Sequence, residues 1–464
     1  MPATLANKKI LVMGLGRFGG GTAVAKWLAQ QNAIVTVNDA DTAEKLSDSI
    51  QQLTGGGGLP ITFKLGGHHL EDFLAADLLV INPAVDKQKS PILQQALARG
   101  IPCTTELNLF LERIPPSTLT VGITGSVGKS TTTALIYETL TACGVANPSF
   151  PNVHLGGNIG KSLLPDLPAI RPTDIVVLEL SSFMLEDTPA IRWSPNIAVI
   201  TNLFPNHLDR HDTLANYAAV KQNILHFQSS IDTAIFNADH DLGGGISQWS
   251  PLARGKTLTY TTHNKQLPLL IPGIHNQSNA QAALAVLEVL QTRNIPINIE
   301  AAHQALTQFI GLPHRLQLVH TFKNLRFYND SKATSPDASI TALKAFPPRT
   351  AIFLVGGYDK HIDMSEFETL LAQRAGAVIG IGSTGQTIVN NVKQRGMEGE
   401  GNTLPTTHVT YTNTLEAALP LACDLAAATP TLTTVVLSPA SASWDQFPNY
   451  ETRGNLFIQL AQSL

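Results

Sequence analysis

The sequence predicts an α/β protein of three domains built on parallel sheets. Three observations point there. Short runs rich in Val, Ile and Leu alternate with helical stretches, the pattern of strands covered by helices on both faces. Two of those runs end in glycine-rich turns that open a helix. The chain has 464 residues, which corresponds to about three domains at roughly 150 residues each.

The first run, residues 9–13 (KILVM), passes through a glycine-rich turn into the helical stretch TAVAKWLAQ. A run at 33–38 follows, and another at 78–81 ends at Asn82-Pro83. Residues 118–124 (TLTVGIT) enter a second glycine-rich turn and the helix TTTALIYETL. Buried strands are expected at 174–180 and 196–201, and the theme returns in AIFLVGG, AVIGIG and TVVLSPA. The tetraglycine at 55–58 reads as a surface loop. Breaks at 113–117 (RIPPS) and 311–315 (GLPHR) divide the chain into domains at 1–115, 116–311 and 312–464. Ligands of parallel α/β sheets sit at the carboxyl ends of the strands, so the residues after each run are the candidates.

Composition narrows the function. Hydrophobic residues make up 43% and charged residues 14%, enough apolar material for real cores. The net charge of -4 argues against a bulk nucleic-acid binder. An anionic ligand must therefore be held by a few placed residues. Cys103, Cys143 and Cys423 are sparse and form no CxxC pair, which argues against a disulfide framework or a zinc cluster. With no signal-like N-terminus and no long apolar run, the expectation is a cytoplasmic protein without membrane insertion.

Gly14-Leu15-Gly16-Arg17-Phe18-Gly19 follows the first strand, and Asp39 ends the next. This is the spacing of a dinucleotide fingerprint, in which glycines let a phosphate approach a helix N-terminus. The same glycines would also let the first helix pack close to its sheet.

Thr124-Gly125-Ser126-Val127-Gly128-Lys129-Ser130-Thr131 lies between strand and helix, as a phosphate-binding loop must. Backbone N–H groups would wrap the phosphates, Lys129 would reach the terminal ones, and Ser130 would ligate Mg²⁺. Ile123 stands where the strict pattern has glycine, so the loop is a variant.

Glu179, at the mouth of the next buried strand, is the natural Mg²⁺ partner, or else a solvent-exposed strand end. His207 and Asp209, in NHLDRH, are placed to face metal or substrate, although a lone His is more often structural. Lys221, in YAAVKQNIL, reads on its own as a solvated helix lysine. The third domain offers Tyr328–Thr334 (YNDSKAT), GGYDK at 356–360 and SPASASWDQF at 438–447. Lysines in two of these clusters suggest binding of carboxylate or phosphate.

Taken in order, TGSVGKST, LELSS, NHLDRH, NDSKATSPDA, GGYDK and SPASASWDQF resemble the Mur ligases over essentially the whole chain. The resemblance implies Rossmann-like N-terminal and C-terminal domains around a central P-loop ATPase-like domain, with the first domain holding UDP and not NAD. It implies a monomeric ligase using ATP and two Mg²⁺ ions to join D-glutamate to UDP-N-acetylmuramoyl-L-alanine through an acyl phosphate. The residue carry-over is as follows. Gly125, Ser126, Gly128, Lys129, Ser130 and Thr131 hold ATP, with Asn276 and Asn279 near adenine and Arg315 and Asp330 from the third domain. Ser130, Glu179, His207 and a carbamylated Lys221 serve the metals, and Lys129, His207 and Lys221 form the catalytic set. Leu15, Arg17, Asp39 and Asn158 contact the UDP substrate. Lys332, Thr334, Lys360, Ser443 and Tyr450 form the D-glutamate pocket. Val127 departs from an expected Asn, and Trp444 and Tyr450 from an expected Leu and Phe. The proton of the attacking amine would pass to His207 or to a phosphate oxygen.

Three alternatives remain at this level. Another ligase of the same superfamily would share the P-loop and metal motifs. A nicotinamide-dependent dehydrogenase would explain Gly14–Gly19 but leave the P-loop idle. A regulatory ATP-binding module would leave Lys332 and Lys360 unused.

Overall fold

The computed structural model describes residues 4–16, 20–55, 59–263, 266–397 and 408–464. It contains three sheets, arranged in two compact units. One unit comprises Met1–Asn264 and Ser278–His303; the other comprises Lys265–Gln277 and Gln304–Leu464.

The first sheet contains β1 (Lys9–Met13), β2 (Ile34–Asp39), β3 (Ile61–Leu65), β4 (Leu78–Ile81) and β5 (Cys103–Thr104). Its order is β3-β2-β1-β4-β5 and every pairing is parallel. Val12 on the central strand faces Val37 and Val80 across its two neighbours. β-branched residues pack well on such a pleated surface buried on both sides.

The second sheet contains β6 (Leu119–Thr124), β7 (Val153–Gly157), β8 (Ile175–Glu179), β9 (Ile197–Ile200), β10 (Thr233–Asn237) and β11 (Lys256–Tyr260). Its order is β11-β10-β9-β6-β8-β7, again wholly parallel. β6, β8 and β9 lie side by side, so the ends of these three strands bring residues 124–131, 179–182 and 201–211 to one edge.

The third sheet contains β12 (Gln317–Phe322), β13 (Leu325–Asn329), β14 (Ala351–Val355), β15 (Ala377–Ile381), β16 (His408–Asn413) and β17 (Thr434–Leu437). Its order is β12-β13-β17-β14-β15-β16. Here the expectation of purely parallel sheets is corrected: β12 and β13 form an antiparallel hairpin. Only two residues separate them, too few for the crossover that parallel strands need.

The first two sheets share a unit because one apolar cluster runs from Trp27, Leu28 and Phe110 to Leu163, Leu164 and Ile170, and polar groups add further ties. Lys87 pairs with Asp187, and Asn108 Nδ2 donates to the Asp187 carbonyl at 2.8 Å. Arg210 reaches Glu186 at 2.6 Å and Asp86 at 3.8 Å. Lys89 Nζ donates to the Asp209 carbonyl at 2.7 Å, and the Ser162 hydroxyl donates to Glu106. The three cysteines are free thiols. Among the described residues no helix is long and apolar enough to cross a membrane.

Candidate active site

The glycine-rich turn after β6 is shaped by two close approaches. Gly125 has φ +155°, and a Cβ there would lie 1.9 Å from Thr201 Oγ1. Gly128 has φ +82°, and a Cβ there would lie 2.8 Å from Asn279 Oδ1. Only glycine fits positions so crowded and so turned. The helix Lys129–Ala146 starts directly after it, which aims its N-terminal N–H groups out of the strand edge.

Two lysines converge on this turn. Lys129 Nζ donates to the carbonyls of Gly125 (2.9 Å) and Ser126 (3.0 Å). Lys221 Nζ donates to the same Gly125 carbonyl at 2.9 Å and to Thr124 Oγ1 at 3.3 Å. The expectation of a solvated lysine at 221 is therefore corrected, since Lys221 is only 1% exposed. Its helix, Leu214–His226, is capped by Thr213 and packs its lysine-bearing face toward β6. Burial lowers the Lys221 pKa well below the usual value; Lys129 pushes it further down, and Glu179 opposes. The Tyr217 ring lies 4.5 Å from Lys221 Nζ. Tyr217 was not singled out from the sequence; its only signal is its position one turn before Lys221.

Glu179 is 1% exposed, so it is no solvent-facing strand end. Its Oε1 accepts from Asn158 Nδ2 at 2.9 Å, while Oε2 is buried without a hydrogen-bond partner. A buried carboxylate oxygen in that state costs free energy unless a cation or donor meets it. Asn158 thus sits on the acidic residue itself.

His207 caps the short helix Leu208–His211 with φ +53°, an uncommon left-handed conformation for a residue with a side chain. Its ring packs 4.9 Å from Phe183. Burial, Lys129 and Lys221 lower its pKa against the opposing Asp209. Next to it, His211 Nε2 and Ser182 Oγ share a hydrogen bond of 3.0 Å. Ser130 and Thr131 are half-buried in the first helical turn. Asn279 is buried and its Oδ1 accepts from Thr132 Oγ1 at 3.1 Å.

In the first sheet, the Asp39 carboxylate accepts from the N–H groups of Leu15 (2.8 Å), Gly16 (3.2 Å) and Asp41 (2.9 Å). It holds the glycine turn in shape. Leu15 is buried in the core. A Cβ on Gly21 would lie 2.3 Å from the Leu15 carbonyl, so close helix packing also uses this motif. Arg17 and Gly19 lie outside the described residues.

The second unit gathers the other candidates. Asp330 is buried, accepting from the Leu316 N–H at 3.1 Å and Ser438 Oγ at 2.8 Å. Burial pushes its pKa up to about 7, against the lowering effects of those bonds and of Arg315. Arg315 itself is exposed, and Asn276 is buried with Nδ2 on the Pro272 carbonyl at 2.7 Å.

The five pocket candidates fall into two pairs, with Ser443 apart from both. Thr334 and Lys360 line a small depression with Tyr358, Ile362, Met364, Ala440 and Ser441, and Lys360 Nζ donates to the Thr334 carbonyl at 2.9 Å. Lys360 Nζ also lies 5.8 Å from the Trp444 ring. Lys332 Nζ instead stands 5.4 Å from the Tyr450 ring. Burial and Glu451 push the Tyr450 phenol up to about 12. Ser443 is buried, and its carbonyl accepts from the N–H of Phe447 at 2.8 Å.

Sequence inspection passed over Arg453, which is 1% exposed. Its guanidinium donates to Ser331 Oγ (2.9 Å), the Ser331 carbonyl (2.8 Å), and the carbonyls of Ser441 (3.1 Å) and Ala442 (3.2 Å). It staples the loops after β13 and β17 together beneath the candidate pocket.

Comparison with known proteins agrees with this arrangement. Residues 8–105 match the Mur ligase MurD-like N-terminal domain, 123–269 the Mur ligase middle domain, and 314–441 the Mur ligase glutamate ligase domain. A UDP-N-acetylmuramoylalanine--D-glutamate ligase of Acetivibrio thermocellus is 33% identical, over 99% of this chain and 97% of its own. One from Acidobacterium capsulatum is 36% identical, over 98% of this chain and 96% of its own. The fold is shared with UDP-N-acetylmuramate-alanine ligase MurC of Thermotoga maritima, with a TM-score of 0.56 at 20% identity over 98% of this chain and 99% of that one. It is also shared with the MurF ligase of Thermotoga maritima solved with ADP, with a TM-score of 0.53 at 16% identity over 100% of both chains. Full-length likeness at this level, on top of the same three-sheet architecture, means that the chain belongs to the Mur ligase family.

Proposed function

We propose that this chain is an ATP-dependent amide-bond-forming ligase that joins D-glutamate to UDP-N-acetylmuramoyl-L-alanine, a step in the synthesis of peptidoglycan precursors. It acts as a monomer in the cytoplasm, with domains at 1–115 for the UDP substrate, 116–311 for ATP and 312–464 for the amino acid. The observation that carries the ATP chemistry is the buried Glu179, with an unpartnered oxygen, at the strand edge that also presents Lys129, Lys221 and His207. Full-length likeness to the D-glutamate ligases supports the choice of substrates.

The chemistry explains why these groups are needed. A carboxylate is a poor acyl donor because its leaving group would be oxide. The lactoyl-alanine carboxylate oxygen attacks the γ-phosphorus of ATP, ADP leaves, and an acyl phosphate results. The D-glutamate amine then attacks the acyl carbon, and the tetrahedral intermediate collapses with loss of phosphate. Charge neutralisation is the main demand of the phosphoryl transfer. Lys129 supplies part of it once it leaves the carbonyls of its own loop for the phosphates.

The donor set fits Mg²⁺. Among the described residues no cluster of three His, Cys, Asp or Glu side chains could hold a metal alone. Mg²⁺ commonly takes one or two protein oxygens and completes its shell with phosphates and water. Ser130 and Glu179 would hold one ion, and His207 with a carbamylated Lys221 a second. The ions would neutralise phosphate charge during transfer. Lys221 suits carbamylation because burial favours its neutral amine, the form that reacts with carbon dioxide.

In the second unit, Lys332 and Lys360 are the cations for the two carboxylates of D-glutamate, with Thr334, Ser443 and Tyr450 around them. Phosphate release from ATP with UDP-N-acetylmuramoyl-L-alanine tests the assignment, comparing D-glutamate, L-glutamate, L-alanine and meso-diaminopimelate. Release confined to D-glutamate is expected. Release with another acceptor would keep the ligase class and overturn the pocket.

A further inference from the structure

We propose that Asn202 is a positioning residue for the nucleotide loop: its side-chain amide fixes the backbone of residues 126–127, so that the helix N-terminus that follows is aimed at the phosphates. Asn202 lies just past β9 and is buried. Its Oδ1 accepts from the Ser126 N–H at 3.1 Å and the Val127 N–H at 2.9 Å, and its Nδ2 donates to the Val127 carbonyl at 3.0 Å. One side chain thus matches both donors and one acceptor of the loop apex.

Its neighbours extend the grip. Thr201 Oγ1 donates to the Val127 carbonyl at 3.0 Å. Ser126 Oγ donates to the Phe204 carbonyl at 2.9 Å and accepts from the Phe204 N–H at 2.8 Å. Residues 201–204 are therefore a template laid against 125–127.

This template answers two peculiarities of the loop. Ile123 replaces the first glycine of the strict pattern, and Val127, 55% exposed, has no polar atom with which to brace the apex from within. The bracing comes instead from the adjacent strand. It also divides the donors. The N–H groups of Ser126 and Val127 are spent on Asn202, and a phosphate meets the dipole at the N-terminus of the helix that begins at Lys129. Without the Asn202 amide, the Val127 N–H loses its acceptor and the Ser126 N–H keeps only the Asn202 backbone carbonyl at 3.2 Å, so the apex is held less firmly and the donors next to it are misplaced.

The inference rests on the assignment of this loop to the nucleotide. Calorimetric titration with ADP and Mg²⁺ tests both at separable points. Wild-type protein that binds no ADP would remove the assignment. With wild-type binding in hand, Asn202→Ala is expected to weaken ADP about tenfold, which is about 1.4 kcal/mol. The KM for ATP should rise by a similar factor, while the KM values for the UDP substrate and the amino acid stay within about twofold. Asn202→Asp keeps both acceptor bonds but replaces the donor to the Val127 carbonyl with a charged oxygen, so it should displace the apex and bind ADP more weakly. Unchanged or tighter ADP binding in Asn202→Ala would overturn the inference. So would an equal rise in all three KM values, the mark of a merely structural residue. If Asn202→Ala melts far below wild type, Asn202→Asp, titrated below its own melting transition, decides alone: ADP binding equal to wild type overturns the proposal, and weaker binding sustains it.

Discussion

The strand edge of the second sheet and the loops of the third sheet, the proposed ATP and D-glutamate sites, both carry lysines, but they hold them in opposite ways. Lys221 is buried among Tyr217, the Gly125 carbonyl and Thr124, and Glu179 is buried with one oxygen unpartnered. Lys332 and Lys360 are exposed, each beside an aromatic ring. Buried charges are preorganised and act at low dielectric, at a cost in stability. Exposed charges cost little and admit a small, hydrated amino acid. Phosphoryl transfer demands the first arrangement, and capture of a free acceptor suits the second.

The largest effect that would break this comparison is at Lys221. Lys221→Met should lower kcat by about a thousandfold, in the range seen when one preorganised electrostatic contact is lost. The melting temperature should hold or rise, because an apolar chain of similar length replaces a buried amine. A fall in melting temperature together with activity would deny that the site sacrifices stability for function.

Asp330 gives the next effect. Its folded pKa is raised to about 7, so the folded state binds this proton more tightly than the unfolded state. Stability from this group is complete at acid pH and is lost as pH rises from about 4 to about 7, by at most about 4 kcal/mol. Asp330→Asn should gain stability relative to wild type over that window. Parallel melting curves for the two proteins across pH would contradict the raised pKa.

Arg453→Ala should follow, destabilising the second unit by about 3 kcal/mol, because the carbonyls of Ser331 and Ser441 and the Ser331 hydroxyl lose their donor, while the Ala442 carbonyl keeps only the Tyr358 N–H. Thermal melting checks it, and the D-glutamate KM should rise as the two loops separate. The smallest effect is at Lys360. Lys360→Ala should raise the D-glutamate KM about tenfold with the KM for ATP within about twofold, since one exposed charge pair is worth little beyond about 1 kcal/mol. A change in kcat larger than in KM would place Lys360 in the chemistry.

The fold was most legible where strands are interior. Residues 9–13, 78–81, 118–124, 174–180, 196–201 and the late runs AIFLV, AVIGI and TVVL all became strands within a residue or two of the expected bounds. Each is flanked on both sides, so an unbroken apolar run is the only composition that serves. The edge strands β3, β5, β7, β11, β12 and β16 were not anticipated. Sequences such as ITFKL, KTLTY and HVTYTN mix polar and apolar residues because one side or one face meets solvent. Interior β10 was missed too, since a five-residue strand with polar ends gives little signal.

By itself, the sequence determined the three-domain α/β plan, the loop at 125–131 and the ordered motifs that place the chain among the Mur ligases. Those features are local: a strand, a turn and a helix start are written in consecutive residues. Tertiary structure alone decided that Lys221 is buried, that Glu179 keeps an unpartnered oxygen, that Asp39 braces its own glycine turn, and that Asn202 and Arg453 hold loops far from them in sequence. Burial and long-range hydrogen bonding depend on which strands become neighbours, and no single stretch of chain carries that information.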